Sequence, residues 1–321
     1  MQNKEIVFVR YKEDRDILIN KVKYPHTVYC TGPNPQKDEI PIPNIASETY
    51  GFVYHIVKNY DNLPEYTIFS QADPKDHVES FELAIDSTFT SGFGSFNYAR
   101  TIYTQYAGNW TRLLPIRQLL NALGINFIND NNCPKLMYYV LPGPHFYLHK
   151  DRIRERPKSF YEKLLEFCND EKLIDLIINY KYPEWLFKEL SYLHPHLNNM
   201  SREEIINKLT YIRDSRHGII AGCTFEALWF TLFTSKENLK KINLKQASIG
   251  NQMFSKKVST NIDKMFFKLL ENDAFDWECP YYLKWREKII EKAEIECKKF
   301  GYDSFEMFKY YKDMGYKHIS I

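Results

Sequence analysis

Apolar and polar residues switch between two spacings along the first ninety positions, and the switching predicts alternating strands and helices. "EIVFVR" (5–10) is a short apolar run rich in β-branched and aromatic residues, closed by the charged turn "YKED"; it predicts a buried strand. "RDILINKV" follows with helical spacing, and Asp14 stands where it can cap it. "HTVYC" (26–30) predicts a second strand, ended by the turn-forming "TGPNPQ". "PIPN" is extended, Ser47 suits an N-cap, and the spacing beyond it predicts a helix to about Tyr60. "YTIFS" (66–70) predicts a third strand, and "DPKDHVESFELAI" a further helix with Pro74 in its first turn.

The order β-α-β-α-β-α favours a mostly parallel sheet flanked by helices, because parallel neighbours need crossovers that cover both faces. In such sheets ligands sit outside the carboxyl ends of the strands. Three loops occupy that edge: Arg10–Asp14, Cys30–Asn34 and Ser70–His77. The helix ending at "NYDNLP" is then a crossover whose return strand delivers Asp73 and His77 to the edge.

Further along, periodicity is weaker. Residues 89–108 are Gly-, Ser- and Tyr-rich and predict a loop over the edge. "NWTRLLPIRQLLNAL" predicts a helix interrupted near Pro115, and "KLMYYVLPGPHFYLH" (135–149) two strands split by Pro-Gly-Pro. "RPKSFYEKLLEFC" (156–168) is an amphipathic helix, and "RHGIIAGCTFEALWFTLF" (216–233) a turn and a buried helix. "RIRERP" (152–157) fits a solvated lead into the amphipathic helix better than a phosphate clamp. There are no internal repeats. The pattern divides into an α/β unit over 1–235 and a Lys-rich helical extension over 236–321 packed on it.

Composition narrows the partners. The 321 residues are 44% hydrophobic and 16% aromatic, enough to bury a large core, and the net charge is only +2. That charge lacks the concentrated basic excess of a nucleic-acid binder. The six cysteines, at 30, 133, 168, 223, 279 and 297, form no CxxC pair, which argues against a zinc knuckle. The N-terminus is charged within four residues, and no apolar run reaches membrane-spanning length. A cytoplasmic protein with no membrane span is expected. The dinucleotide, P-loop, zinc-protease and nucleophile-elbow signatures are absent, and "SGFGSF" (91–96) is a weak glycine signal.

Five segments nevertheless occur in a telling order: "VRYKED", "PNxxxExxxxVYHIxxNYDNLP", "FSQADPxDH", "GPHFYLHKDRIRERPKSFYEKLLEF" and "FEALWFTLF". Over about residues 5–234 they resemble a poorly characterised domain family of fungal and bacterial proteins. Its pattern is RYxED, PNxGREaxxYLxyIxxNYDxLPD, FxQGxPxxH, GAxFxVxxxRIxxRPxxFYxxLL and ExLWxxxF. That family is similar in layout to glycosyltransferases of the GT-A type, a Rossmann-like fold. In those, the first strand ends in a polar turn, an Asn-Gly turn precedes a helix, and a later strand runs into Asp-x-Asp. A Gly-rich strand pair then precedes an acid near a Trp. The chain departs from the pattern twice: Ala46-Ser47 replace Gly-Arg, and Gln71-Ala72-Asp73 stand where Asp-x-Asp is expected.

The resemblance implies transfer of a sugar from a nucleoside diphosphate sugar to a hydroxyl of a glycan or protein. The leaving diphosphate needs a divalent cation, basic side chains or helix N-termini. Asp73 and His77, with Gln71 nearby, are the candidates for holding Mn²⁺ or Mg²⁺; Asp73 also suits the cap of the next helix. Arg10, Tyr11 and Asp14 fall where the nucleotide is held, Asn44 and Glu48 at the turn before the crossover helix, and His145 beside the acceptor. Glu226, set among Phe225, Leu228, Trp229 and Phe230, must be paired, protonated or open to a cavity. It is the candidate general base, against a structural ion pair with Arg213 or Arg216. Two alternatives stand: a non-catalytic glycan- or protein-binding module on the same shell, and a transferase acting on modified bases in DNA.

Overall fold

A computed structural model describes residues 2–96 (except 76 and 79), 101–103, 138–140, 143–173 (except 170), 219–233 (except 227) and 280–299, with parts of 119–125, 201–207 and 301–309. Its centre is a six-stranded mixed sheet flanked by helices, an α/β fold. The strands are β1 (Lys4–Arg10), β2 (His26–Cys30), β3 (Ile40–Pro41), β4 (Tyr66–Gln71), β5 (Phe93–Ser95) and β8 (Phe146–His149). Their order is β3-β2-β1-β4-β8-β5. The first four are parallel, with Arg10 opposite Cys30 and Val9 opposite Gln71. β8 runs antiparallel to both β4 and β5, pairing Phe69 with Phe146. β6 (Thr101–Tyr103) and β7 (Tyr138–Val140) form a separate antiparallel ribbon. The strands flanking Pro-Gly-Pro thus form as expected, but in different sheets.

The crossover helix α1 (Glu48–Asn59) lies on one face. It presses so closely on β1 that a Cβ on Gly51 would stand 2.5 Å from Val9 Cγ2. Phe52 meets Phe69 and Phe146 there, at ring separations of 5.2 and 5.8 Å. Trp229 closes the same cluster, 5.2 Å from Phe146. It belongs to α6 (Trp229–Phe233), which follows α5 (Ile219–Glu226), so the single helix expected here is broken in two. The opposite face packs α2 (Phe81–Asp86) through Phe81 on Phe8, and stacks Phe89 on Tyr147 at 4.0 Å. Burial of these large rings on both faces is the main driving force for the sheet to close.

Three local expectations are corrected. "RDILINKV" is not an α-helix but two 3-10 turns, Arg15–Ile17 and Ile19–Lys21, because Arg15 is drawn inward onto Asp38. Ser47 does not cap α1: its φ of 53° and ψ of −131° turn it away, and Thr49 N–H bonds the Ala46 carbonyl instead. The helix after β4 does not start at Pro74. Pro74 closes an isolated turn, accepting from His77 and Val78 N–H, and Ser80 caps α2 further on.

"RIRERP" bridges α3 (Lys150–Arg154) and α4 (Lys158–Phe167). Arg156 donates to the Leu232 carbonyl at 3.0 and 3.2 Å, closing the end of α6, a structural use. Of the C-terminal extension, α7 (Pro280–Lys299) is described and packs against α2. The stretch 89–108, expected as a loop, instead supplies β5 and β6, while 97–100 and 104–108, most of the helix expected over 109–123, and residues 236–279 lie outside the described residues. Among the described residues no helix is long and apolar enough to cross a membrane.

Candidate active site at the carboxyl edge of the sheet

The chain leaves β1 outward through β2 and β3, then returns across the sheet to β4 on the other side of β1. The neighbouring carboxyl ends of β1 and β4 therefore flank the point where strand order reverses, the place where sheets of this kind hold their ligands. The ends of β2, β3 and β5 and the start of β8 share that edge.

The β1 exit is fixed by buried charge. Arg10 grips Glu39 through Nε and Nη2, both at 2.7 Å, and also donates to the Glu13 and Asn34 carbonyls. Arg15 grips Asp38 at 2.6 and 2.8 Å. Burial would raise the Glu39 carboxyl, but hydrogen bonds from Arg10 and the Gln36 amide, with both guanidinium charges, hold it below the usual range. Arg10, a candidate for the nucleotide, is thereby committed to the scaffold. Tyr11 stands outside it, 42% exposed, with the Lys12 ammonium 5.0 Å from its ring centre. Gly32 permits this: its added Cβ would fall 1.8 Å from the Tyr11 carbonyl oxygen. Asp14 accepts from Asp16 N–H at 3.0 Å, capping the first 3-10 turn. Asn44 is exposed on the loop leading into α1.

That loop carries the backbone strain. Ala46 and Ser47 both have φ of 53°, and Ala46 occupies the position where the resembling pattern has glycine. α5 presses on it: a Cβ at Gly222 would stand 2.9 Å from Ser47 Oγ. Glu48 follows. Burial pushes its carboxyl up to about 7; its own amide pulls the other way, and the charges of Glu226 and Glu13 add to the rise. Three acids, from the β1 exit, the start of α1 and the end of α5, thus share one neighbourhood.

Glu226 is half-buried beside the fully covered Phe225, Leu228 and Trp229. Its Oε1 accepts from Gly143 N–H at 3.1 Å, in the corner that leads through His145 into β8. Arg213 and Arg216, its expected ion-pair partners, lie outside the described residues. His145 is wholly buried. Ser70 gives its hydroxyl proton to the Gln71 carbonyl at 2.7 Å and meets His145 Nδ1 at 2.9 Å, so Nδ1 carries the proton. Burial, then the charge of His77, holds His145 well below the ordinary histidine range. The two imidazole centres are 5.7 Å apart.

At the β4 exit the candidate metal residues bond within their own loop. Gln71 Nε2 donates to the Asp73 carbonyl at 2.8 Å, and Asp73 Oδ1 faces the Lys75 amide at 3.4 Å. Among the described residues no group of three or more His, Cys, Asp or Glu is placed to hold a metal ion. Asp73 and His77, the residues from which a divalent cation is expected to hang, both stand in this loop, and each is partly exposed.

All ten residues picked from the sequence lie at or beside this edge. Direct bonds or ring contacts join Glu226 to the corner before His145, and His145 to Ser70 and His77. Glu48 joins through its charge coupling to Glu226. Sequence reasoning missed Glu13, whose carboxylate accepts from the Tyr11 and Lys12 amides at 2.6 and 3.0 Å, though it is one of the two acids of "YKED" and neighbours the chosen Asp14. It also missed Ser70, which reads as an ordinary strand residue until the fold brings His145 beside it. No protein-family model, curated protein or solved structure matches the chain.

Proposed function

We propose that this chain is a glycosyltransferase of GT-A-like build, moving a sugar from a nucleoside diphosphate sugar to a hydroxyl acceptor. The observation that carries the reading is the bond between Glu226 and Gly143 N–H, which ties the acid of the Trp segment to the edge where β1 and β4 end. Strand exits at a switch point, an exposed Tyr11 beside it and a carboxylate facing the same edge match what such a transfer needs. The acceptor oxygen attacks the anomeric carbon, its proton passes to the Glu226 carboxylate, and the carbon–oxygen bond to the diphosphate breaks. Glu48, held neutral longer than an ordinary acid, adds less negative charge beside an incoming diphosphate than an ionised pair would.

The test is a panel of UDP- and GDP-sugars, read by thermal shift and by release of the nucleoside diphosphate. Glu226→Gln is expected to cut turnover by about 10²–10⁴-fold while leaving donor binding intact. A protein that neither binds nor hydrolyses any donor refutes the reading. Among the described residues no metal-holding group forms at Asp73, which supports a second reading, a binding module on the same shell. For that module Glu226→Gln leaves biological function unchanged.

A further inference from the structure

The proposed transfer releases a diphosphate, and the β4 exit bears on what meets its charge. Gln71 and Asp73 are clipped to their own loop, and among the described residues no donor group for a divalent cation forms. The arginines of the β1 exit are spent on Glu39 and Asp38. Among the described residues, two ammonium groups stand on the loops that leave β1 and β4, that of Lys12 over the Tyr11 ring at 5.0 Å. Lys12 follows β1 and Lys75 follows β4, strands that run parallel in register with Val9 opposite Gln71. Both lysines are exposed, and neither is in an ion pair among the described residues. Gly32 holds the Tyr11–Lys12 backbone close to the β2 exit, and the Glu13 carboxylate ties down the Lys12 amide, so the first ammonium hangs from a fixed stem. The Pro74 turn fixes the stem of the second.

We infer that the diphosphate of the donor is bound by Lys12 and Lys75, one ammonium from each strand exit flanking the switch point, in place of a divalent cation. A point charge on a flexible stem suits phosphate oxygens without demanding a fixed coordination geometry. The inference rests on the glycosyltransferase reading and specifies its anion site.

The test is calorimetric titration of the full chain in EDTA with UDP, GDP, CDP, ADP and inorganic pyrophosphate, repeated with Mn²⁺. At least one nucleoside diphosphate is expected to bind in EDTA, with affinity changed less than about twofold by the metal. Lys12→Ala and Lys75→Ala are each expected to weaken it about tenfold, and the corresponding arginine variants to retain it. Lys58→Ala, exposed at the far end of α1, changes nothing. Binding that requires Mn²⁺, or that ignores both lysines, overturns the inference and leaves the transferase reading standing. Binding of no diphosphate under either condition overturns both.

Discussion

Two parallel strands leave the sheet side by side, and the chain fixes their exits by opposite means. At the end of β1 a lattice of full charges, Arg10 and Arg15 on the buried Glu39 with the exposed Asp38 closing it, ties together the loops after β1 and β2. At the end of β4 the fixing bonds are neutral: Ser70 to His145, and Gln71 to the Asp73 carbonyl. Charges that hold a scaffold are unavailable to a ligand, so the first exit offers what stands outside its ion pairs, Tyr11 and Lys12 among them. The second exit leaves Asp73 and His77 partly exposed.

The largest separation between the two exits is in stability. Glu39→Ala strands Arg10 in a buried site, and losing one partner of such a pair costs about 3–5 kcal/mol. Ser70→Ala leaves His145 Nδ1–H without this acceptor and is expected to cost about 1–3 kcal/mol. Urea unfolding of both variants checks the difference. Equal losses would mean that the charged lattice is no stronger a fixture than the neutral one.

The next contrast is in pH. His55 lies on the buried face of α1, with Nδ1 3.2 Å from the Tyr29 hydroxyl, and burial followed by the Lys58 charge lowers it to about 4. An unfolded chain takes up that proton near 6.5, so stability is intact above about 6.5 and falls as pH drops toward 4. The span corresponds to about 3 kcal/mol. Glu48 runs the other way. Raised to about 7, it contributes stability below about 4.5 that is lost as pH climbs through 7, discounted because the side chain is partly open. Melting across pH 4–8 is expected to show Glu48→Gln flattening the neutral side alone. A variant profile parallel to the parent would deny Glu48 its burial.

How much of this was readable from the chain depends on the range of the interactions. β1, β2, β4 and α1 follow from short apolar runs and helical spacing, which are local signals. The parallel order followed from their alternation. The inserted antiparallel β8 did not, because its pairing of Phe69 with Phe146 links residues far apart in sequence. Arg15 broke a helical pattern through a tertiary ion pair, and Ser47 failed as a cap because α5 and the strained Ala46 set its backbone. The site residues were legible as positions at strand ends. Their bonding was not: nothing local marks Arg10 as the property of Glu39, or Asp73 as turned toward its own loop.

The smallest expected effect sharpens the boundary between scaffold and site at the β1 exit. Asp14 is exposed and caps a single 3-10 turn through Asp16 N–H, yet it also stands where the nucleotide is expected. Removing the cap with Asp14→Ala is expected to cost about 0.5–1 kcal/mol. Asp14→Asn keeps an acceptor of the same shape, because asparagine caps about as well as aspartate, and loses only the charge. If Asp14 serves the scaffold, the Asn variant matches the parent in both urea midpoint and nucleoside diphosphate affinity. If its carboxylate touches the ligand, the midpoint stays and the affinity moves, upward where the charge repelled a phosphate and downward where it accepted a ribose hydroxyl. The pair of measurements therefore places Asp14 inside the lattice with Arg10 or outside it with Tyr11 and Lys12.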